Sequence, residues 1–192
     1  MRVALATKNL GKVREIAAIV ADAGIELIAP DTAWVPPDET EPDYTGNALL
    51  KARSLHALMD IPCLADDSGI EVELLDWGPG PRSARYAGED ATDEQNLRKL
   101  IEVVGGSDVR RARYRCVAVL AGVGDEIVVE ETVEGALISE PRGSGGFGYD
   151  PIFVPDGDTR TMAELTPEEK DSISHRGKAF RALIPALRAL RA

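Results

Sequence analysis

Two adjacent carboxylates, Asp66 and Asp67, stand inside Ala65-Asp66-Asp67-Ser68-Gly69, directly after the short apolar run Ile61-Pro62-Cys63-Leu64. Like charges on neighbouring residues repel unless a cation or solvent intervenes, and a position at the end of a strand would aim them into the crevice where open α/β sheets bind ligands. That pattern points to a magnesium site, with an acidic Asx turn as the competing reading. A second candidate is Thr7-Lys8-Asn9-Leu10-Gly11-Lys12. It falls between a strand pattern and a helical one, where free backbone N–H groups and the helix dipole favour an anion and Lys12 adds a positive charge. It is not a Walker A loop, because no glycine stands upstream at the required spacing and Val13 occupies the place of the metal-binding Ser or Thr.

Three further groups carry polar chemistry. Glu39 precedes Asn47 and Lys51, which lie four apart and so share a helix face; they present an amide and an ammonium to one ligand or simply to solvent. Between Gly143 and Pro151, dense glycines surround Phe147 and Tyr149 in a chain with only 5% aromatic residues. Backbone of that kind can approach a flat ligand closely, and the rings can stack on it; a flexible turn is the alternative. Lys170 and Ser174-His175-Arg176 stand before the closing helical pattern, where Ser174 can cap the helix and His175 and Arg176 face whatever lies at its start. The other histidine, His56, reads as a helix-surface residue.

The elements that must position these groups follow from periodicity. Val3 to Ala6 reads as a buried strand, and Val13, Ile16, Ala17, Val20 and Ala23 follow at helical spacing up to Gly24. Residues 30–44 read as a loop, Ala48 to Leu58 as a second helix, and the run through Leu64 as a strand carrying the aspartates. Ile70, Val72 and Leu74 alternate with Glu71 and Glu73, as a strand with one wet face should. Gly78 to Pro81 is a turn, and Thr92 with Gln95 is a capping-box signature for a helix through Val104. Strands are predicted near 114–120 and 127–133. A last helix carries Phe180, Leu183, Ile184, Leu187 and Leu190, with Pro185 expected to kink or split it. The class is mixed α/β, in one domain over residues 1–192.

Composition narrows the function. With 192 residues and 44% hydrophobic content the chain can bury a substantial core. A net charge of −11 opposes binding to a nucleic-acid polymer, which needs a broad basic face, but leaves room for a polyanionic small molecule held by local lysines and a metal. Cys63 and Cys116 both sit in apolar runs, as reduced core thiols of a cytoplasmic protein do. Neither a signal peptide nor a membrane span is expected.

Six signatures occur in order: Thr7 to Lys12, Asn47-Ala48 through Lys51-Ala52, Ala65 to Gly69, Ser83-Ala84-Arg85-Tyr86, Gly145 to Pro151 and Ser174-His175-Arg176. Together they resemble the inosine/xanthosine triphosphate pyrophosphatases, the Ham1 or RdgB family. The resemblance implies an elongated mixed sheet flanked by helices, two lobes around a central nucleotide-binding cleft, and a homodimer. It implies hydrolysis of ITP, dITP or XTP to the monophosphate and pyrophosphate with Mg²⁺. Carried over residue by residue, Thr7, Lys8, Asn9, Leu10, Gly11 and Lys12 hold the triphosphate with help from Lys51. Glu39 and Asp67 hold magnesium, and Asp67 accepts a proton from the attacking water. Ser68, Phe147, Gly148, Tyr149, Asp150, Lys170, His175 and Arg176 bind the nucleoside, with Arg176 donating to the 6-oxygen of the base.

The chain departs from the family pattern around Glu39, where Glu41 replaces a glycine and Gly46 replaces an acid before Asn47, and at Leu75-Asp76-Trp77-Gly78, where a glycine pair is usual. The first change bears on the metal role of Glu39, the second on the turn after the Asp67 strand. Two alternatives stand beside this reading: a Maf-type pyrimidine nucleotide pyrophosphatase, and a non-catalytic nucleotide-binding protein. Two carboxylates beside a triphosphate speak against the latter.

Overall fold

Side chains alternate between the two faces of a strand, and that alternation sorts the apolar residues of this chain into separate cores. Val3 and Leu5, Leu64, and Cys116, Ala118 and Leu120 share one core with Ile16 and Val20 and with Phe180, Leu183 and Leu187. Ala4 and Ala6, Cys63 and Ala65, and Val117, Val119 and Ala121 meet Trp34, Tyr44, Ala48, Ala52 and Leu55 in another. Strands buried on both faces by helices are the mark of an α/β protein.

The structure is a computed structural model that describes residues 1–190. Seven strands, β1 (Arg2–Leu5), β2 (Glu26–Ile28), β3 (Cys63–Val72), β4 (Gly78–Pro79), β5 (Arg111–Ala121), β6 (Ile127–Leu137) and β7 (Phe153–Pro155), form one sheet in the order β2-β1-β3-β5-β6-β7, with β4 on β3. The sheet is mixed: β1 runs parallel to β2 and β3, whereas β3 with β4 and β6 with β7 are antiparallel. Five helices accompany it: α1 (Leu10–Val20), α2 (Tyr44–Met59), α3 (Asp93–Val104), α4 (Pro167–Ile173) and α5 (His175–Ala189). No helix among the described residues is long and apolar enough to cross a membrane.

The chain divides into two compact units. Unit 1 comprises Met1–Asp67, Cys116–Glu131 and the chain from Arg176 onward; unit 2 comprises Ser68–Arg115 and Thr132–His175. Unit 1 contains the two cores just described, with α1 and α5 on one and α2 on the other. Unit 2 has a core of Ile70 and Val72, Ala112 and Tyr114, Val133 and Leu137, Phe153, and Leu100 and Val104 of α3.

Local signals in the sequence operate as read. Gly24 ends the first helical segment in the left-handed conformation, φ 72°, and α3 begins with a complete Thr92–Gln95 capping box. The cysteines are both buried and unpaired, and burial pushes the Cys63 thiol up to about 12.

Two expectations fail and one alternative of a third is excluded, each for a tertiary reason. Asp66 and Asp67 are not at the end of a strand, because β3 continues through them to Val72. Glu71 does not face water: it is buried beneath Arg113, at 2.6 Å, and Arg115, at 3.6 Å, while Leu74 has left the strand for a 3₁₀ turn. Of the kink or split expected at Pro185, the split does not occur: α5 runs continuously through it. Leu183 and Leu187 on either side of it are fully buried, and that packing carries the helix through the hydrogen bond that proline removes.

Candidate active site

Strand alternation decides the geometry of the acidic pair. Leu64 belongs to the core of α1 and α5 and Ala65 to the core of α2, so two residues on Asp66 turns toward the first face and Asp67 toward the second. The contacts agree. Asp66 Oδ2 accepts from Lys12 Nζ of α1 at 2.9 Å and from Arg176 Nε of α5 at 3.3 Å. Asp67 Oδ1 accepts from Lys51 Nζ of α2 at 3.0 Å, and its Oδ2 lies 3.4 Å from Asn47 Nδ2 of the same helix. The adjacent carboxylates are therefore two sites, not one pair.

Their protonation differs accordingly. Burial disfavours the Asp66 anion, but Lys12, Arg176 and Lys51 outweigh it and hold the carboxyl well below the usual carboxylate range. Burial raises Asp67 above its usual value and Glu39 adds to the rise, while Lys51 and Lys12 only partly offset them. Asp66 is thus a fixed negative charge that anchors two cations; Asp67 is the more basic carboxylate and the better proton acceptor.

Each flanking element is held from the sequence upward. Asn9 caps α1, its Oδ1 accepting from Gly11 N–H at 2.8 Å and Lys12 N–H at 3.1 Å, and Asn9 N–H donates to Thr7 Oγ1 at 3.1 Å. The free amides expected of this loop are thus partly satisfied by its own side chains, and Lys12 points its ammonium at Asp66. Lys8 and Leu10 are exposed. On α2, Asn47 ties down the segment that carries Glu39: its Oδ1 accepts from Glu41 N–H at 3.1 Å and its Nδ2 donates to Glu41 C=O at 3.2 Å. Glu41, a departure from the family pattern, is used here through its backbone.

Lys51 Nζ also reaches Glu39 Oε1 at 2.7 Å, so Glu39 and Asp67 converge on one cationic point. Burial works against that ammonium, yet Asp67, Glu39 and Asp66 together hold its pKa above the usual lysine value. The donor set fits magnesium, which takes one or two carboxylates and completes its octahedron with waters and phosphate oxygens. No cluster of three or more His, Cys, Asp or Glu placed to hold a metal exists among the described residues. Two carboxylates are what this site offers.

Unit 2 carries a second, separate constellation. Asp150 Oδ2 accepts from Lys170 Nζ at 2.6 Å and Phe147 N–H at 2.8 Å, and Tyr114 Oη donates to Oδ1 at 3.3 Å. The loop can close on Asp150 only because Gly146 takes φ 68°, and a β-carbon there would collide with the Asp150 carboxylate. Lys170 Nζ lies 4.9 Å from the centre of the half-buried Phe147 ring. His175 stacks on Tyr114, centroids 4.6 Å apart and planes 5° from parallel. Tyr149 is buried with its hydroxyl on Ser83 C=O at 2.7 Å, and Gly148 N–H donates to Asp93 at 3.2 Å. Ser83 Oγ in turn accepts from Ile70 N–H at 2.8 Å and donates to Gly80 C=O at 2.6 Å, and a β-carbon on Gly69 would collide with that turn. Ser68 is half-buried on β3.

One participant escapes the sequence reading, and two take roles it does not assign. Glu15 binds Arg176 Nη1 at 2.6 Å; its spacing of three from Lys12 on α1 was the available signal. Asn47, expected to face a ligand or solvent, instead braces Glu41 and Asp67 through its amide. Ser83, within the Ser-Ala-Arg-Tyr signature, is a buried brace.

Comparison with known proteins places the chain. A family model described as the Ham1 family matches residues 3–186. A dITP/XTP pyrophosphatase of Streptomyces coelicolor is 48% identical over 98% of both chains, and one of Escherichia coli is 45% identical over 97% of this chain and 98% of the other. Among solved structures, a Ham1 protein from Coxiella burnetii superposes with a TM-score of 0.89 at 36% identity, covering 98% of this chain and 99% of that one.

Proposed function

The chain belongs to the Ham1 family, and from that premise we propose that it hydrolyses dITP, ITP and XTP to the monophosphate and pyrophosphate as one domain. The observation that carries this reading is the pair of carboxylates Glu39 and Asp67 on one lysine, beside a separately anchored Asp66–Lys12 pair. A triphosphate needs its charge neutralised and its attacking water oriented and deprotonated. Lys12 and Lys51 supply positive charge, with the 7–12 loop against the phosphates. Asp67, held by Lys51 and lying beside Asn47, takes the proton of the water. Magnesium, held by Glu39 and Asp67, would supply Lewis-acid stabilisation of the phosphate oxygens.

Base recognition falls to Ser68, Phe147, Gly148, Tyr149, Asp150, Lys170, His175 and Arg176. Donors directed at position 6 accept the oxygen of hypoxanthine or xanthine and reject the amino group of adenine, since donor would face donor. The protein works as a cytoplasmic homodimer. A pyrophosphate-release assay over natural and deaminated nucleotides with Mg²⁺ tests the reaction. We expect pyrophosphate and monophosphate from ITP, dITP and XTP; inorganic phosphate and a diphosphate as first products would refute the cleavage position. Turnover confined to pyrimidine nucleotides would favour the Maf-type alternative.

A further inference from the structure

We infer that Lys51 is an exchangeable counterion of Glu39 and Asp67, so that a divalent cation joins these carboxylates only together with a polyphosphate that takes the lysine over; the inference rests on the pyrophosphatase reading above. The Lys51 ammonium lies 2.7 Å from Glu39 Oε1 and 3.0 Å from Asp67 Oδ1, and the side chains of Lys51 and Asp67 are only 10% and 5% exposed. Two carboxylates on one ammonium, Asp67 buried and Glu39 half-buried, repel each other without a cation between them. Lys51 supplies that cation within the chain.

Magnesium held by the same two carboxylates would replace the charge that Lys51 now supplies and would compete with the ammonium for those oxygens. The lysine would then be released from Glu39 and Asp67. An ammonium out of reach of bulk water gives up one anion only for another, and a triphosphate is such an anion. The carboxylates can stay in place during the exchange, because Asn47 holds the Glu41 backbone through two hydrogen bonds and lies beside Asp67 Oδ2. Lys51 thus acts as a positioning residue that couples metal to nucleotide. Coupling of this kind is reciprocal: the nucleotide raises metal affinity by the factor by which the metal raises nucleotide affinity.

The test uses Mn²⁺ as a paramagnetic probe, titrated into the full-length protein without nucleotide and followed by EPR. Lys51→Met should bind Mn²⁺ about 10-fold or more tighter than the wild type, a coupling within the ordinary range for interacting sites. Adding Asp67→Asn to Lys51→Met should abolish that gain. Equal Mn²⁺ affinities for wild type and Lys51→Met would overturn the inference. A second measurement needs no variant: the Lys51 ¹⁵Nζ resonance should hold still under Mg²⁺ alone and shift when inosine α,β-methylene triphosphate is added. A shift with Mg²⁺ alone would overturn the proposal equally. Neither experiment involves turnover, so a protein that failed to release pyrophosphate would sink the proposed function while the Mn²⁺ comparison still stood or fell by itself.

Discussion

The charged cluster of unit 1 and the glycine-rich cluster of unit 2 are built on opposite principles. In unit 1, Glu15, Glu39, Asp66 and Asp67 interleave with Lys12, Lys51 and Arg176 through ion pairs. In unit 2 one buried pair, Asp150 with Lys170, anchors a loop whose other features are backbone and rings: Gly146, Phe147, Tyr114 and His175. Charge is needed where phosphates must be neutralised and a proton moved. A flat base calls for a close backbone and ring faces, because orientation and shape, not net charge, separate one purine from another. The first cluster should therefore govern rate and the second affinity and selectivity.

The sharpest way to break that contrast is Asp67→Asn, which keeps size but removes the basic carboxylate. We expect kcat to fall about 10²-fold or more, the range for losing a general base, with the fold intact by circular dichroism. A folded Asp67→Asn protein with wild-type turnover would end the assignment. Next in size is Arg176→Lys. By its contacts Arg176 belongs to the charged cluster, by resemblance to the base. Lysine keeps the charge and loses the planar fork, and we expect kcat/KM for ITP to drop roughly 10-fold, with ATP affected far less, as fits an impaired charge-assisted hydrogen bond. Equal losses on ITP and ATP would assign Arg176 to Asp66 and Glu15 alone. The smallest effect belongs to Phe147→Leu. Losing a ring that stacks on a base costs about 1 kcal/mol or somewhat more, so KM for ITP should rise about 5-fold while kcat holds. A fall in kcat without a change in KM would blur the division between the clusters.

Much of this was legible in the residue string. The caps at Thr92 and Gly24 and the apolar periods of α1, α2 and α5 are local signals, and local signals survive whatever surrounds them. The six ordered signatures identified the family because each places a chemically demanding residue at fixed spacing. Even the collision that a β-carbon at Gly69 or Gly146 would cause has its trace in the sequence, as a glycine where nothing else fits.

What the string could not supply was the partner of each charge. Asp66 and Asp67 are neighbours in sequence and look like one acidic pair, but whether a strand stops or runs on through them depends on its pairing partners, and β3 runs on. A single step of strand alternation then sends one carboxylate to α1 and α5 and the other to α2. Glu71 reads as a solvent-facing acid until Arg113 and Arg115, more than forty residues away, cover it. Arg176 meets Asp66 across 110 residues and Glu15 across 161. Residue type, period and capping act within a few residues, so the candidate residues and most of the elements that carry them can be read from the string. The contrast between Asp66, held well below the usual carboxylate range, and Asp67, raised above it, belongs to the fold, because burial and cations from distant parts of the chain set it.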